Sequence, residues 1–263
     1  MPLCGWTLFV PQPPNSAIVV FTRLPRHEAK ALVAEPRAAR HLHTALILKT
    51  LATVTVAAPQ AAVVLACDGP PPDALRAALR RIANAGLAVH TLHQRGHGFG
   101  QRFTHALQDT AAMGYDRLVA VGTDTPSLSV CDIERALLPG RLCFGPAFDG
   151  GFYLIGLDRD ALGLLDGNKP WCTPRLLASL LQSARTQHHR VHLLGARLDL
   201  DTPAHARRCW ASLQELVVQT TGYGLAARFV PPKSRFRPVQ CLGRLRRAAL
   251  RIDPTRGPPI AAT

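Results

Sequence analysis

The chain is 263 residues long, 47% hydrophobic, and carries a formal net charge of +14. That length bounds it to one large domain with short appendages, and the absence of any run near the ~20 apolar residues of a membrane span excludes a transmembrane class. Seven cysteines, odd in number and without a CxxC pair, exclude a disulfide-framed scaffold and a zinc site, and point to free thiols in a reducing cytoplasm.

Residues 1–15 read as an N-terminal extension; they lack a basic start, are broken by prolines, and do not form a signal peptide. SAIVVFT (16–22) is a buried first strand, followed past a loop bearing Pro25 and Pro36 by a helix over 37–54. AAVVLAC (61–67) is the second strand, and Asp73 is placed to cap a helix over 74–86 that stops at Gly86. A third strand spans 87–93. The glycine-spaced loop QRGHGFGQR then leads into a helix over 103–114. The fourth strand is 118–121, with a short helix over 130–138, strands over 141–147 and 151–157, a helix over 173–187, a strand over 190–195 and a last helix over 204–219. Residues 16–221 therefore form an α/β domain with a doubly wound, mostly parallel sheet of about seven strands. The FDGGF turn between two successive strands implies one strand reversed near the sheet edge. No GxGxxG follows the first strand, which argues against a Rossmann dinucleotide site. The tail, 222–263, holds nine Lys/Arg against the single acid Asp253. Its breakers VPPKSRFRP and RGPP favour a solvated tail, while 240–252 as one short amphipathic helix keeps peripheral membrane contact open. Nothing indicates sequence-specific nucleic-acid binding.

Three acidic segments fall in loops at strand ends, where open α/β sheets bind ligands. In VAVGTDTPSLS, Asp124 follows a buried strand; it is either a hard oxygen ligand for Mg²⁺ or Mn²⁺ or the cap of the next helix. In CFGPAFDGGFYLIGL, Asp149 sits in a turn before Gly150 and Gly151, which on its own reads as a tight hairpin. In LDLDTPAH, Asp199 and Asp201 precede a helix that Asp201 or Thr202 would cap. Four such carboxylates in a strongly basic chain point to a metal–diphosphate site.

VGTDTPSL, then FGPAFDGGFYLIGL, then Trp171-Cys-Thr173 and DLDTP resemble, in order and spacing across 16 to about 215, a bacterial family of predicted glycosyltransferases. That family belongs to the nucleotide-diphospho-sugar transferase superfamily with the GT-A fold, whose relatives include molybdopterin and 2-phospholactate guanylyltransferases. GFGQR resembles the family's LG-x-R loop, with Gly100 and Arg102 in the matching places. The resemblance implies that Asp124 holds the metal or the nucleotide ribose, with Thr123 and Thr125 near the nucleotide. Asp149 would lie in the acceptor or metal region beside Gly150 and Gly151, and Asp199 and Asp201 would complete the metal shell or shape the acceptor side. Trp171 and Thr173 would wall the pocket, or Trp171 would simply pack in the core.

The loop after the first strand departs from the family pattern P-x-x-G-x-x-K-T-R-L. Here it reads FTRLPRHEAKALVAEP: Pro25 fits, Glu28 replaces the glycine, Lys30 is displaced by about one position, and the next arginine is missing. Arg23 and Arg26 partly substitute for this phosphate clasp, though not with lysine geometry. Three activities remain open. One is metal-dependent glycosyl transfer from a nucleotide-sugar to a small-molecule or lipid-linked acceptor, with Asp124 on the metal, Arg102 and Lys30 at the phosphates, and Asp149 as base. The others are nucleotidyl transfer to a phosphorylated small molecule, disfavoured by the missing clasp, and nucleotide binding without catalysis. The histidines (His41 with His43, His93 with His97) do not share helix faces or carboxylate partners as metal sites require, and no G-x-S-x-G elbow supports a hydrolase.

Overall fold

In the computed structural model, residues 15–27 and 36–209 are described. The N-terminal extension, the loop segment with Glu28 and Lys30, most of the last expected helix and the basic tail lie outside them. The elements in order are β1 (Ser16–Phe21), α1 (Pro36–Ala57), β2 (Ala62–Cys67), α2 (Asp73–Asn84), β3 (Val89–His93), α3 (Gly98–Ala112), β4 (Arg117–Val121), α4 (Val130–Leu137), β5 (Leu142–Pro146), β6 (Phe152–Asp158), a 3₁₀ turn (Arg159–Leu165), α5 (Leu176–Thr186), β7 (Val191–Leu193) and α6 (Pro203–Arg208).

The strands form one seven-stranded sheet in the order β3-β2-β1-β4-β6-β5-β7. β1 pairs in parallel with β2 and β4, β2 with β3, and β5 with β7. β6 alone runs against its neighbours, antiparallel to β4 and β5 and third from the β7 edge. β1, β2 and β4 are buried at every position, as a sheet covered on both faces requires. The pleat sends alternate residues to opposite layers. Ile18 and Val20 join Ile47, Leu51, Leu75, Leu79 and Ile133 on the face covered by α1, α2 and α4. Ala17, Val19 and Phe21 join Phe103, Leu107, Leu164, Leu176 and Leu180 on the face covered by α3, the 3₁₀ turn and α5. Each fully buried branched side chain contributes about 1.5–3 kcal/mol, so the two apolar layers supply the main driving force.

Three features differ from the sequence-based expectation. Asp73 does not cap α2; it is the first helical residue after Pro72, pairing with Arg76 one turn on, where its charge suits the positive helix end. α3 starts at Gly98, so the glycine loop supplies the helix's first turn. β4 begins with Arg117, which is 1% exposed. Its guanidinium donates to the carbonyls of Ala136 and Arg141 and to Asp158, tying β4, β6 and the end of α4 together at the edge of the sheet opposite the carboxyl ends of β1 and β4. Among the described residues, no helix is long and apolar enough to cross a membrane.

Candidate functional site

The loops leaving the carboxyl ends of β1, β2 and β4 lie at one rim of the sheet. Because β6 is reversed, the tight turn between β5 and β6 lies there too. In that turn Gly150 N–H donates to the Ala147 carbonyl and Ala147 N–H to the Gly151 carbonyl. Gly150 has φ +88, and a Cβ on it would strike the backbone of Pro174; no side chain is admissible on either count. The Gly151 N–H donates to Asp149 Oδ1 at 2.8 Å, leaving the exposed Asp149 held from behind.

Asp124 leaves β4 through Gly122 and Thr123. It is not a helix cap: α4 is capped by Ser129, whose side chain accepts from Asp132 N–H while Asp132 accepts from Ser129 N–H. Thr123 is buried, its hydroxyl 2.9 Å from that of Thr22 at the end of β1. Thr125, also buried, donates its hydroxyl to Asp199 Oδ1, and Leu200 N–H donates to the Asp124 carbonyl at 2.8 Å. Segments 74–76 positions apart are thus joined side by side. Thr123 and Thr125 share a shallow crevice with Leu46, Lys49 and Thr50 of α1.

Burial pushes the Asp199 carboxyl up to about 6; the Thr125 hydroxyl opposes this, and the charges of Asp124, Asp149 and Asp201 add to it. Asp199 therefore feels all three other acids. Asp201 is exposed, and the cap of α6 is Thr202, which accepts from His205 N–H.

On the other half of the rim, Gly100 lies against the indole of Trp171, which occupies the space a Cβ would need. Trp171 is half-buried and packs on Phe99, Phe103 and Phe152; it is at once part of an aromatic layer and the wall beside the α3 N-terminus. Thr173 is exposed and donates to the Pro170 carbonyl. Arg102, in the second turn of α3, has no hydrogen bond or ion pair among the described residues. Arg23, by contrast, lies 3.4 Å from Asp68.

Asp68, which follows β2 as Asp124 follows β4, escaped the sequence analysis. It accepts from Leu24 N–H at 2.7 Å, from His27 Nδ1 at 2.9 Å and from Arg23 Nε. Burial alone would raise its pKa, but these donors together hold its carboxyl below the ordinary value. Arg26 donates to His27 Nε2 and lies over Gly69. Gln94, also missed, is 6% exposed and donates to the carbonyls of Thr22 and Ala66. The loop that departs from the family pattern is thus fastened at its base to the ends of β2 and β3. His43 belongs to the same fastening: it is buried and its Nε2 donates to the Arg23 carbonyl at 2.8 Å.

The seven-stranded mixed sheet of this order, flanked by helices on both faces and with one strand reversed, defines the α/β fold. A solved structure from Desulfovibrio desulfuricans G20, provisionally described as a nucleotide-diphospho-sugar transferase, shares it with a TM-score of 0.58 and 24% identity over 76% of this chain and 97% of its own. Residues 50–173 match the model of the family described as "uncharacterized protein conserved in bacteria" (DUF2064). A cytidylyltransferase from Leptospira borgpetersenii serovar Hardjo-bovis aligns at 13% identity and TM-score 0.49, over 85% of this chain and 99% of its own. An inositol-1-phosphate CTP transferase from T. maritima aligns at 11% identity and TM-score 0.43, over 78% and 97%. Among curated proteins none matches.

Proposed function

We propose that the protein is a transferase that moves a glycosyl group from a nucleotide-sugar to a hydroxyl acceptor, aided by a divalent cation. The observation that carries this is the junction of Asp199 with the Asp124 loop, which puts buried and exposed carboxylates in one electrostatic field. The donor set suits a hard cation. Among the described residues no three His, Cys, Asp or Glu side chains form a ready ligand group, so Mg²⁺ or Mn²⁺ would take one or two of Asp124, Asp199 and Asp201 and complete its shell with water and phosphate oxygens. Such a cation, when bound, would neutralise charge on a diphosphate leaving group.

The chain's own residues supply the rest. Arg102, without a partner among the described residues, offers its guanidinium to phosphate beside the α3 N-terminus. Thr123 and Thr125 have their hydroxyls committed to Thr22 and Asp199, so they shape the nucleotide floor. Asp149, exposed and steadied by Gly151 N–H, is the carboxylate placed to take the acceptor's proton. Among the described residues Arg23 is already paired to Asp68, which leaves one cation fewer for a triphosphate donor and so supports a nucleotide-sugar.

Incubation with UDP- and GDP-sugars and Mn²⁺ should give donor turnover without pyrophosphate. Pyrophosphate release from an NTP with a phosphorylated acceptor would instead establish nucleotidyl transfer. Calorimetric binding of UDP or GDP should depend on Mn²⁺ and vanish in Asp124→Ala but not in Asp73→Ala; no nucleotide binding at all would overturn the reading.

A further inference from the structure

The three acidic segments come from distant parts of the chain, and one residue that is not acidic touches the supports of all of them. The Arg197 N–H donates to the Pro146 carbonyl at 2.9 Å, and its own carbonyl accepts from Phe148 N–H at 3.2 Å. These two bonds lace the segment after β7 to the turn that presents Asp149, through the isolated bridge between Ala147 and Arg197. The side chain goes the other way. Its guanidinium lies 2.6 Å from Asp132 Oδ2 and donates to Ser129 Oγ at 3.3 Å. Those are the two residues of the α4 capping box, directly after the Asp124 loop. The Arg197 side chain is 24% exposed and that of Asp132 8%, so the pair is shielded from competing water. Below it lies the Tyr153 ring, 5.7 Å from the guanidinium carbon, whose hydroxyl donates to the Gly195 carbonyl. Two residues beyond Arg197 stands Asp199, and three beyond is the Leu200 N–H that meets the Asp124 carbonyl.

We infer that Arg197 is a positioning residue that sets the spacing among the Asp124, Asp149 and Asp199 segments, through its backbone on one side and its guanidinium on the other. Both contacts come from one nitrogen, Nη2, so a lysine ammonium would keep the charge pair but on a stem of different reach and without the planar face that the guanidinium lays over the Tyr153 ring. The functional half of the inference rests on the reading of these acids as one cation site, whereas the mechanical half does not.

Both halves are tested on the full chain with Arg197→Met, Arg197→Lys and Asp132→Asn. Amide hydrogen exchange reads the mechanical half. Arg197→Met should speed exchange at Leu200 and Phe148 while Val119 and Val121 of β4 stay protected, with Arg197→Lys in between. Asp132→Asn, which keeps an acceptor for the Ser129 amide, should act in the same direction should Arg197→Met fail to fold. Unchanged protection at Leu200, or a uniform loss across the sheet, would overturn the inference. Mn²⁺ titration in the presence of UDP reads the functional half: affinity should fall on the order of 10–100-fold in Arg197→Met and recover in part in Arg197→Lys. Loosened Leu200 with undiminished Mn²⁺ affinity would overturn the functional half. A wild-type chain that binds no Mn²⁺ would instead sink the proposed function, and the exchange data would still decide the clamp.

Discussion

Asp199 shows what the site costs the fold. Its pKa, about 6, lies above the ordinary carboxylate value, so the folded chain holds a proton that the unfolded chain has already released. Stability therefore falls as pH rises from about 4 to about 6, and the deficit persists above that window. Asp199→Asn keeps an acceptor for the Thr125 hydroxyl and removes the charge. It should stabilise the protein by about 1–3 kcal/mol near pH 8 and by nearly nothing near pH 4; thermal denaturation at the two pH values measures the difference. An equal gain at both would show that charge is not the cause. Such a gain, bought with the loss of a ligand, is the usual trade between stability and activity. The aspartates at strand ends were legible because each stands out locally, acidic after an apolar run. Asp68 had the same local signature after β2 and was passed over only because no motif drew attention to it. Gln94 and Arg197 had none: their partners lie 28–72 and 65–68 positions away, and no local pattern encodes such pairings.

At the level of elements, the central strands β1, β2 and β4 were readable because continuous apolar runs of four to seven residues leave few alternatives to a covered sheet. α3 was not. Glycine disfavours helix, so GHGFG reads as a loop, yet Gly98 and Gly100 lie within the helix. At Gly100 the reason is tertiary: the indole of Trp171 occupies the Cβ position, and close packing offsets the propensity loss. The start of β4 was likewise hidden, since an arginine is an unexpected opening for a buried strand. Arg117 is tolerated because its donors meet Ala136, Arg141 and Asp158. Arg117→Met should destabilise by about 3 kcal/mol, because it strands the carbonyls and Asp158 without their donor. Denaturant unfolding would measure it, and a loss below about 0.5 kcal/mol would mean that water replaces the guanidinium without penalty.

For the molecule as a whole, the family match covers residues 50–173 and so omits both the departed loop after β1 and the segment bearing Arg197 and Asp199. The likeness to that family thus lies in the middle of the chain, while the segments that would decide its activity flank it. Charge has a similar division: a chain of net +14 gathers acids where cation and acceptor would meet. A ligand that binds only the folded state should register globally. Mn²⁺ with UDP at about 100 times the dissociation constant should add about 2.7 kcal/mol, or a rise of roughly 5–10 °C in Tm for a protein of this size. Scanning calorimetry should find that rise in the wild-type chain and in Asp73→Ala, and none in Asp124→Ala.

The direction of β6 has a further consequence. Two strands joined in parallel need a crossover of a dozen or more residues to bring the chain back. Running the other way, β6 is reached from β5 by five residues, 147–151, and the link itself becomes part of the rim. That link is short and pinned on both sides: Gly150 admits no side chain against Pro174, and Pro146 and Phe148 are bonded to the backbone of Arg197. A residue inserted there would therefore undo the lacing and displace the rim while β1, β2 and β4 keep their pairing.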